Sequence, residues 1–159
     1  MWPVEHGPFA VGAYRYGLHD RVEQVCRAQF EAAALFQHRR LPECFSGHAR
    51  DDTTPFPAIY PAANAPQAWS ATTVFTLVQT LLGLRAHAPT RTLLLDPHLP
   101  EWLPELTLHR LRIGGARVDL QFRRGQDGDT RFEVLDQHGR LRVVRQATGY
   151  GDEDAMLAA

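Results

Sequence analysis

The chain has 159 residues, 44% of them hydrophobic and 22% charged, with a formal net charge of −1 at pH 7. That make-up fits one globular domain or two small ones and excludes a disordered, collagen-like or disulfide-built chain. No run of about 18 apolar residues occurs, and the first residues carry neither a basic stretch nor an apolar segment, so the sequence predicts no membrane span, no secretory signal and a cytoplasmic location.

All 17 basic residues are arginine, which fits high-GC codon usage better than a binding role. Residues 1–104 hold eight Arg against nine Asp and Glu, and residues 105–159 hold nine against nine. Neither half has the basic excess that phosphate contacts need, which disfavours nucleic acid as a partner. Cys26 and Cys44 are too few for a disulfide framework and fit no C-x-x-C pattern, so both are expected as free thiols.

The first 84 residues show helical periods. Pro8 can open a helix, because its missing N–H would be unpaired there, and Phe9, Ala10, Ala13 and Tyr14 share a face before Gly17 stops it. A second helix is expected from Asp20, with Glu23 three residues on as a variant capping box. Val22, Val25, Cys26, Phe30, Ala33 and Ala34 form its buried face, with Cys26 as a small hydrophobe. Between Arg39 and Pro66 lies an aperiodic stretch with five prolines, at 42, 55, 57, 61 and 66. A loop beyond about 15 residues is usually functional, and Phe45, Phe56, Ile59 and Tyr60 predict that this one packs. Pro66 then opens a third helix, whose residues Trp69, Thr73, Val74, Phe75, Leu77, Val78, Leu81, Leu82 and Leu84 leave almost no polar face. Such a helix needs neighbours on every side.

After Pro89 the period becomes two. Leu93–Leu95 is a candidate strand, residues 97–104 a turn-rich link, and the phase shift from Leu106 and Leu108 to Leu111 and Ile113 marks a bulge near His109. Gly114-Gly115 signals a two-residue hairpin, and Val118, Leu120 and Phe122 alternate with Arg117, Asp119, Gln121 and Arg123. Phe132 with Val134 and Leu141 with Val143 repeat the pattern, predicting an antiparallel sheet with one wet face. From Thr148 on, a frayed tail is expected. The predicted class is α+β, with helices over 1–88, an antiparallel β domain over 89–147 and a tail over 148–159.

No single motif identifies a chemistry. His38, Cys44 and His48 share one loop but lack the paired short spacings of structural zinc, and Cys44-x-Ser46-x-His48 does not define a nucleophile–base pair. Trp2, Glu5 and His6, read as standing just before a helix, suit either a sugar-stacking plate beside a carboxylate or a hydrophobic staple with a dipole-favoured acid. Glu43 is a lone loop carboxylate, and Gln67 and Trp69 either line a pocket mouth or cap and pack.

Taken in order, however, WPVEHGPFAVGAYRYG, LPECFSG, NAPQAWSATTVFTLVQTLLGL and LLLDPHLPEWLPELTLHRLRIGGARVDLQFRR resemble the C-terminal end of bacterial glycogen-debranching-enzyme-like (amylo-alpha-1,6-glucosidase-like) proteins, up to about Arg124. That group shares a six-hairpin (α/α) toroid with processing alpha-glucosidases and mannosylglycerate hydrolases. The resemblance implies an inverting glycoside hydrolase without cofactor or metal, in which an acid protonates the leaving oxygen and a second carboxylate activates water, the two about 6.5–9.5 Å apart. Glu43, in the loop before the last long helix, matches the general base. Trp2, Glu5, Gln67 and Trp69 become substrate-binding candidates for an alpha-glucan or oligosaccharide.

The family has many more helices before its small β part, and its general acid, an Asp, lies upstream of anything here. Asp51 and Asp52 match no acid motif. The resemblance therefore implies the tail of a larger hydrolase, three helices from an incomplete toroid, inactive alone. A toroid closes only when each inner helix has two neighbours, so one flank should be bare, favouring self-association or an upstream partner chain, unless the helices fold back on the β part. A non-catalytic carbohydrate-binding or assembly module, or a degenerate structural remnant, are the alternatives.

Overall fold

Helix α1 (Pro3–Arg15) starts five residues earlier than Pro8 predicts: Pro3 occupies the first turn and Pro8 lies inside the helix. Either proline can open a helix, and Pro3 places Glu5 in the first turn, where the helix dipole favours a carboxylate. The end is as read from the sequence. Gly17 adopts φ +72°, and the Gly17 and Leu18 N–H groups donate to Tyr14 O and Ala13 O, each at 2.9 Å, which is the Schellman pattern.

Leu18, the residue completing that motif, is already the N-cap of α2 (His19–Ala34). The expected capping box therefore does not form, and Asp20 sits in the first turn instead of capping it. Val22, Cys26 and Ala33 are buried as predicted, Val25 and Phe30 are half-buried, and Ala34 is exposed. Gln29 is an unpredicted fourth buried residue on this face.

The computed structural model describes residues 1–58 and 60–147, so Ile59 and the expected tail from Thr148 lie outside the described residues. The chain divides into two compact units after Thr80, compared with the line drawn at 88/89 from the period change. Among the described residues no helix is long and apolar enough to cross a membrane.

In the first unit α1 and α2 form an antiparallel hairpin: Tyr14 meets His19 edge-to-face at 4.9 Å, and His6 meets Gln29 at 2.6 Å. A single 3-10 turn (Gln37–Arg39) follows, with His38 left-handed at φ 54°. Helix α3 (Ala68–Leu81) starts two residues after Pro66. It runs parallel to α1, since Trp2 meets Trp69 at one end and a Cβ at Gly7 would stand 3.2 Å from the Thr76 methyl carbon further along. Glycine at position 7 is what permits that approach.

Helix α3 is not covered on every side. Ser70, Thr73, Leu77, Thr80 and Leu81 are buried, but Phe75 is 75% exposed. The inward threonines are tolerated because Thr73 and Thr80 donate their hydroxyls to Trp69 O and Thr76 O in their own helix, satisfying groups that would otherwise be orphaned. The long loop packs: Leu41 and Phe45 are buried against Ala33, with Phe36 and Val74 beside them, and Phe36 stacks on Phe45 at 6.1 Å. Phe56 and Tyr60, expected to help, are exposed instead.

Among the described residues the second unit holds two three-stranded sheets. In one, β3 (Glu105–Ile113), β4 (Ala116–Arg124) and β5 (Thr130–His138) form the predicted antiparallel meander. Its hairpin turns at Gly114-Gly115, and the register shifts between Leu108 and Leu111 where the bulge is expected. Ala116, Val118, Leu120 and Phe122 are buried in alternation. Val134 is exposed, contrary to its predicted inward place, next to a second register shift at Asp119/Leu120.

The other sheet corrects the all-antiparallel expectation. Its order is β1 (Arg85–His87), β2 (Thr92–Leu95), β6 (Arg142–Arg145), with β6 parallel to β2. Parallel neighbours require a long crossover, and the whole β3–β5 meander supplies it. β1 escaped the sequence reading because three residues are too few to display a period.

Candidate functional site

Three stretches of the first unit meet at the N-terminal ends of α1 and α3. The Phe45 N–H donates to Met1 O at 3.0 Å, and the Met1 amino group donates to Phe45 O at 2.7 Å. In the same segment, Glu43 N–H donates to Asn64 O at 2.8 Å, and Gln67 N–H donates to Leu41 O at 3.2 Å. Residues 41–45 are thereby laced between the start of α1 and the start of α3.

Glu43 is half-buried in this lacing. Its Oε2 accepts both the backbone N–H and the side-chain Nδ2 of Asn64, each at 3.2 Å. With the backbone bond in the other direction, Asn64 holds residue 43 at three points and fixes which carboxylate oxygen is engaged. Among the described residues no donor engages the other oxygen, and an open acceptor is what a base or a sugar-hydroxyl acceptor requires. Asn64 was missed from sequence, where it reads as one more polar residue of a proline-rich loop.

Trp2 and Trp69 come together with ring centroids 5.7 Å apart and planes at 67°. They are 40% and 43% exposed, so each keeps surface for a ligand while the edge-to-face contact positions the pair. Trp2 is the N-cap of α1 and makes no side-chain cap bond. The carboxylate and imidazole of Glu5 and His6 lie in the first turn of α1 and not before the helix, because the helix begins at Pro3.

Glu5 is exposed, and its charge acts on His6, whose pKa is nevertheless held below the usual imidazole value, first by burial and then also by the N-terminal charge. A neutral His6 accepts at Nδ1 from Gln29 Nε2. The Gln29 Oε1 is buried with no hydrogen-bond partner among the described residues. Gln67 is partly committed to its own helix: its Oε1 accepts the Ala68 N–H at 3.1 Å. The structure thus joins Trp2, Trp69, Glu43 and Gln67 at one end of the first unit, with Glu5 on the outer surface of α1 beside them.

Both thiols are free. Cys26 is buried, and burial, aided by the Glu23 charge, pushes its pKa up to about 12, the condition of an inert core thiol. Among the described residues no group of three or more His, Cys, Asp or Glu side chains is placed to hold a metal ion. No protein-family model and no curated protein sequence matches the chain.

Proposed function

We propose that this chain is the C-terminal part of an inverting alpha-glucan hydrolase of the glycogen-debranching type, with Glu43 as its general base and Trp2 and Trp69 as sugar platforms. One observation carries this reading: the lacing of residues 41–45 between Met1 and Asn64–Gln67 puts a clamped carboxylate at the same helix ends as an edge-to-face tryptophan pair. Parallel α1 and α3, with α2 antiparallel to α1, also fit two inner helices and one outer helix of a toroid.

In the reaction, Glu43 takes a proton from water attacking the anomeric carbon, while a carboxylic acid about 6.5–9.5 Å away protonates the departing oxygen. The resemblance assigns that acid to an Asp with no counterpart in this sequence, so hydrolysis needs a partner polypeptide or an upstream segment. The exposed Phe75 face of α3 supports such an association. The second reading, a non-catalytic glucan-binding or assembly module, is favoured by the same tryptophans, which bind sugar without a second carboxylate.

The test is titration of the full chain with maltoheptaose, followed by tryptophan fluorescence. Saturable quenching is expected, lost in Trp69→Ala and kept in Glu43→Gln; titrations that do not depend on Trp69 refute the sugar site. Glucose release from limit dextrin, in the presence of the polypeptide that supplies the acid, should vanish in Glu43→Gln. Undiminished turnover by that variant refutes the base role and leaves the binding-module reading.

A further inference from the structure

The second unit gathers three turns at one end. A Cβ at Gly139, in the β5–β6 turn, would stand 3.2 Å from Gly115 O and Ala116 Cα in the β3–β4 hairpin, and one at Gly114 would stand 3.7 Å from Ala88 Cβ in the β1–β2 turn. The Arg142 N–H donates to Arg91 O at 2.8 Å, which ties the β5–β6 turn to the β1–β2 turn. Glycine at 139 and 114 suits these approaches, with φ at +81° and +56°. The three turns enclose a concavity of about 370 Å³, lined by Ala88, Ile113, Gly115 and Ala116 and by the side chains of Arg91 and Arg140. Its size is that of a small-molecule cleft.

The charge at this end is one-sided. Residues 87–92, 112–117 and 138–142 carry Arg91, Arg112, Arg117, Arg140 and Arg142 and no Asp or Glu. Asp136 answers Arg117 at 3.8 Å and His138 at 3.2 Å, and Asp119 is engaged by His109 and the Arg110 N–H. With both carboxylates counted, five arginines still face two acids, and Arg91, Arg112, Arg140 and Arg142 have no ion-pair partner among the described residues. Arg112 stands directly opposite Arg117 in the β3–β4 register, a like-charged cross-strand pair that costs stability unless an anion answers it. Arg91 holds the left-handed region at φ 54°, where a residue other than glycine is strained, as happens at functional sites. The acids that balance this half of the chain sit at the opposite end of the meander, where Glu105, Asp127 and Asp129 pair with Arg123, Arg131 and Arg145. A charge count along the sequence therefore hides the local surplus.

We propose that this end of the second unit binds a compact polyphosphate, with Arg91 and Arg140 donating to phosphate oxygens at the concavity and Arg112, Arg117 and Arg142 supplying the surrounding positive field. Guanidinium is the group for this task, because its planar fork matches phosphate oxygens and its charge persists at every physiological pH. A small anion fits better than an extended nucleic-acid strand, since the arginines come from three turns that close on one cleft of small-molecule size. The site lies wholly within the second unit and does not depend on the proposed hydrolase reading.

The experiment is an amide chemical-shift titration of the full chain with sodium tripolyphosphate at constant ionic strength, with magnesium-free ATP and a short oligothymidylate as comparison ligands. Saturable shifts confined to residues 87–92, 112–117 and 138–142 are expected. Arg140→Gln should weaken tripolyphosphate about tenfold, and so should Arg91→Asn, whose side chain tolerates the left-handed backbone. Arg123→Gln removes the same charge at the far end of β4 and should leave the affinity unchanged. Equal affinities for tripolyphosphate and ATP assign the phosphate chain alone, and tighter ATP binding assigns a nucleotide; either result supports the site. Absence of saturable shifts overturns it. Equal weakening by Arg123→Gln reduces the effect to net charge and overturns the local assignment, and oligothymidylate binding more tightly per phosphate than tripolyphosphate overturns the compact anion.

Discussion

Cys26 supplies a quantitative test of the packing beneath α2. Its side chain is 0% exposed, and its pKa is raised from 9.0 to about 12. At pH 8 a thiol of pKa 9 is about 10% thiolate, whereas one of pKa 12 is about 0.01%, a ratio of about 10³ before any steric protection. Iodoacetamide labelling at pH 8, read by peptide mass spectrometry, should therefore modify Cys26 about 10³-fold more slowly in the native chain than in denaturant. Linkage sets the alkaline side as well: a thiol whose folded pKa is raised contributes stability that is complete below the unfolded value and is lost as pH rises from about 9 towards 12. Comparable labelling of Cys26 in the native chain and in denaturant would refute the buried α2 face on which the hairpin depends.

Two other perturbations probe the contacts that position the candidate sites. Gly7→Leu drives a side chain into the Thr76 methyl, which a Cβ alone would approach to 3.2 Å; it should cost about 1–3 kcal/mol and shift the emission of the Trp2–Trp69 pair, and an unchanged melting temperature would show that α1 and α3 do not meet there. At the β3 bulge, Asp119 accepts from His109 Nδ1 at 3.0 Å and from Arg110 N–H at 2.8 Å, and these bonds hold its pKa below 3.8. Its contribution is present above that unfolded value and lost as pH falls below it, so Asp119→Asn should lower stability at pH 7 and flatten the loss between pH 5 and pH 2; parallel pH profiles for the two proteins would exclude it.

Much of the second unit was legible because a sheet with one buried face writes itself as strict alternation. Val118, Leu120 and Phe122 announced β4, Gly114-Gly115 its hairpin, and the slip from Leu108 to Leu111 the bulge. The parallel β2–β6 pair was not legible, since alternation fixes which face a strand buries and says nothing about which strand lies beside it. Likewise the start of α1 was misplaced because Pro3 and Pro8 carry the same local signal, and the α2 cap because Leu18 was already engaged in ending α1.

The site divides along the same line. Local sequence was enough to mark the elements that carry Trp2, Glu43 and Trp69, to bury Cys26 and to set the α+β order, since periodicity, proline and glycine act over a few residues. Only the tertiary structure decided that those residues share one end of the first unit and that Asn64 grips Glu43. Those outcomes rest on backbone hydrogen bonds between segments about 20 to 45 residues apart in the chain, and closing loops of that length carries no local signature in the residues it joins.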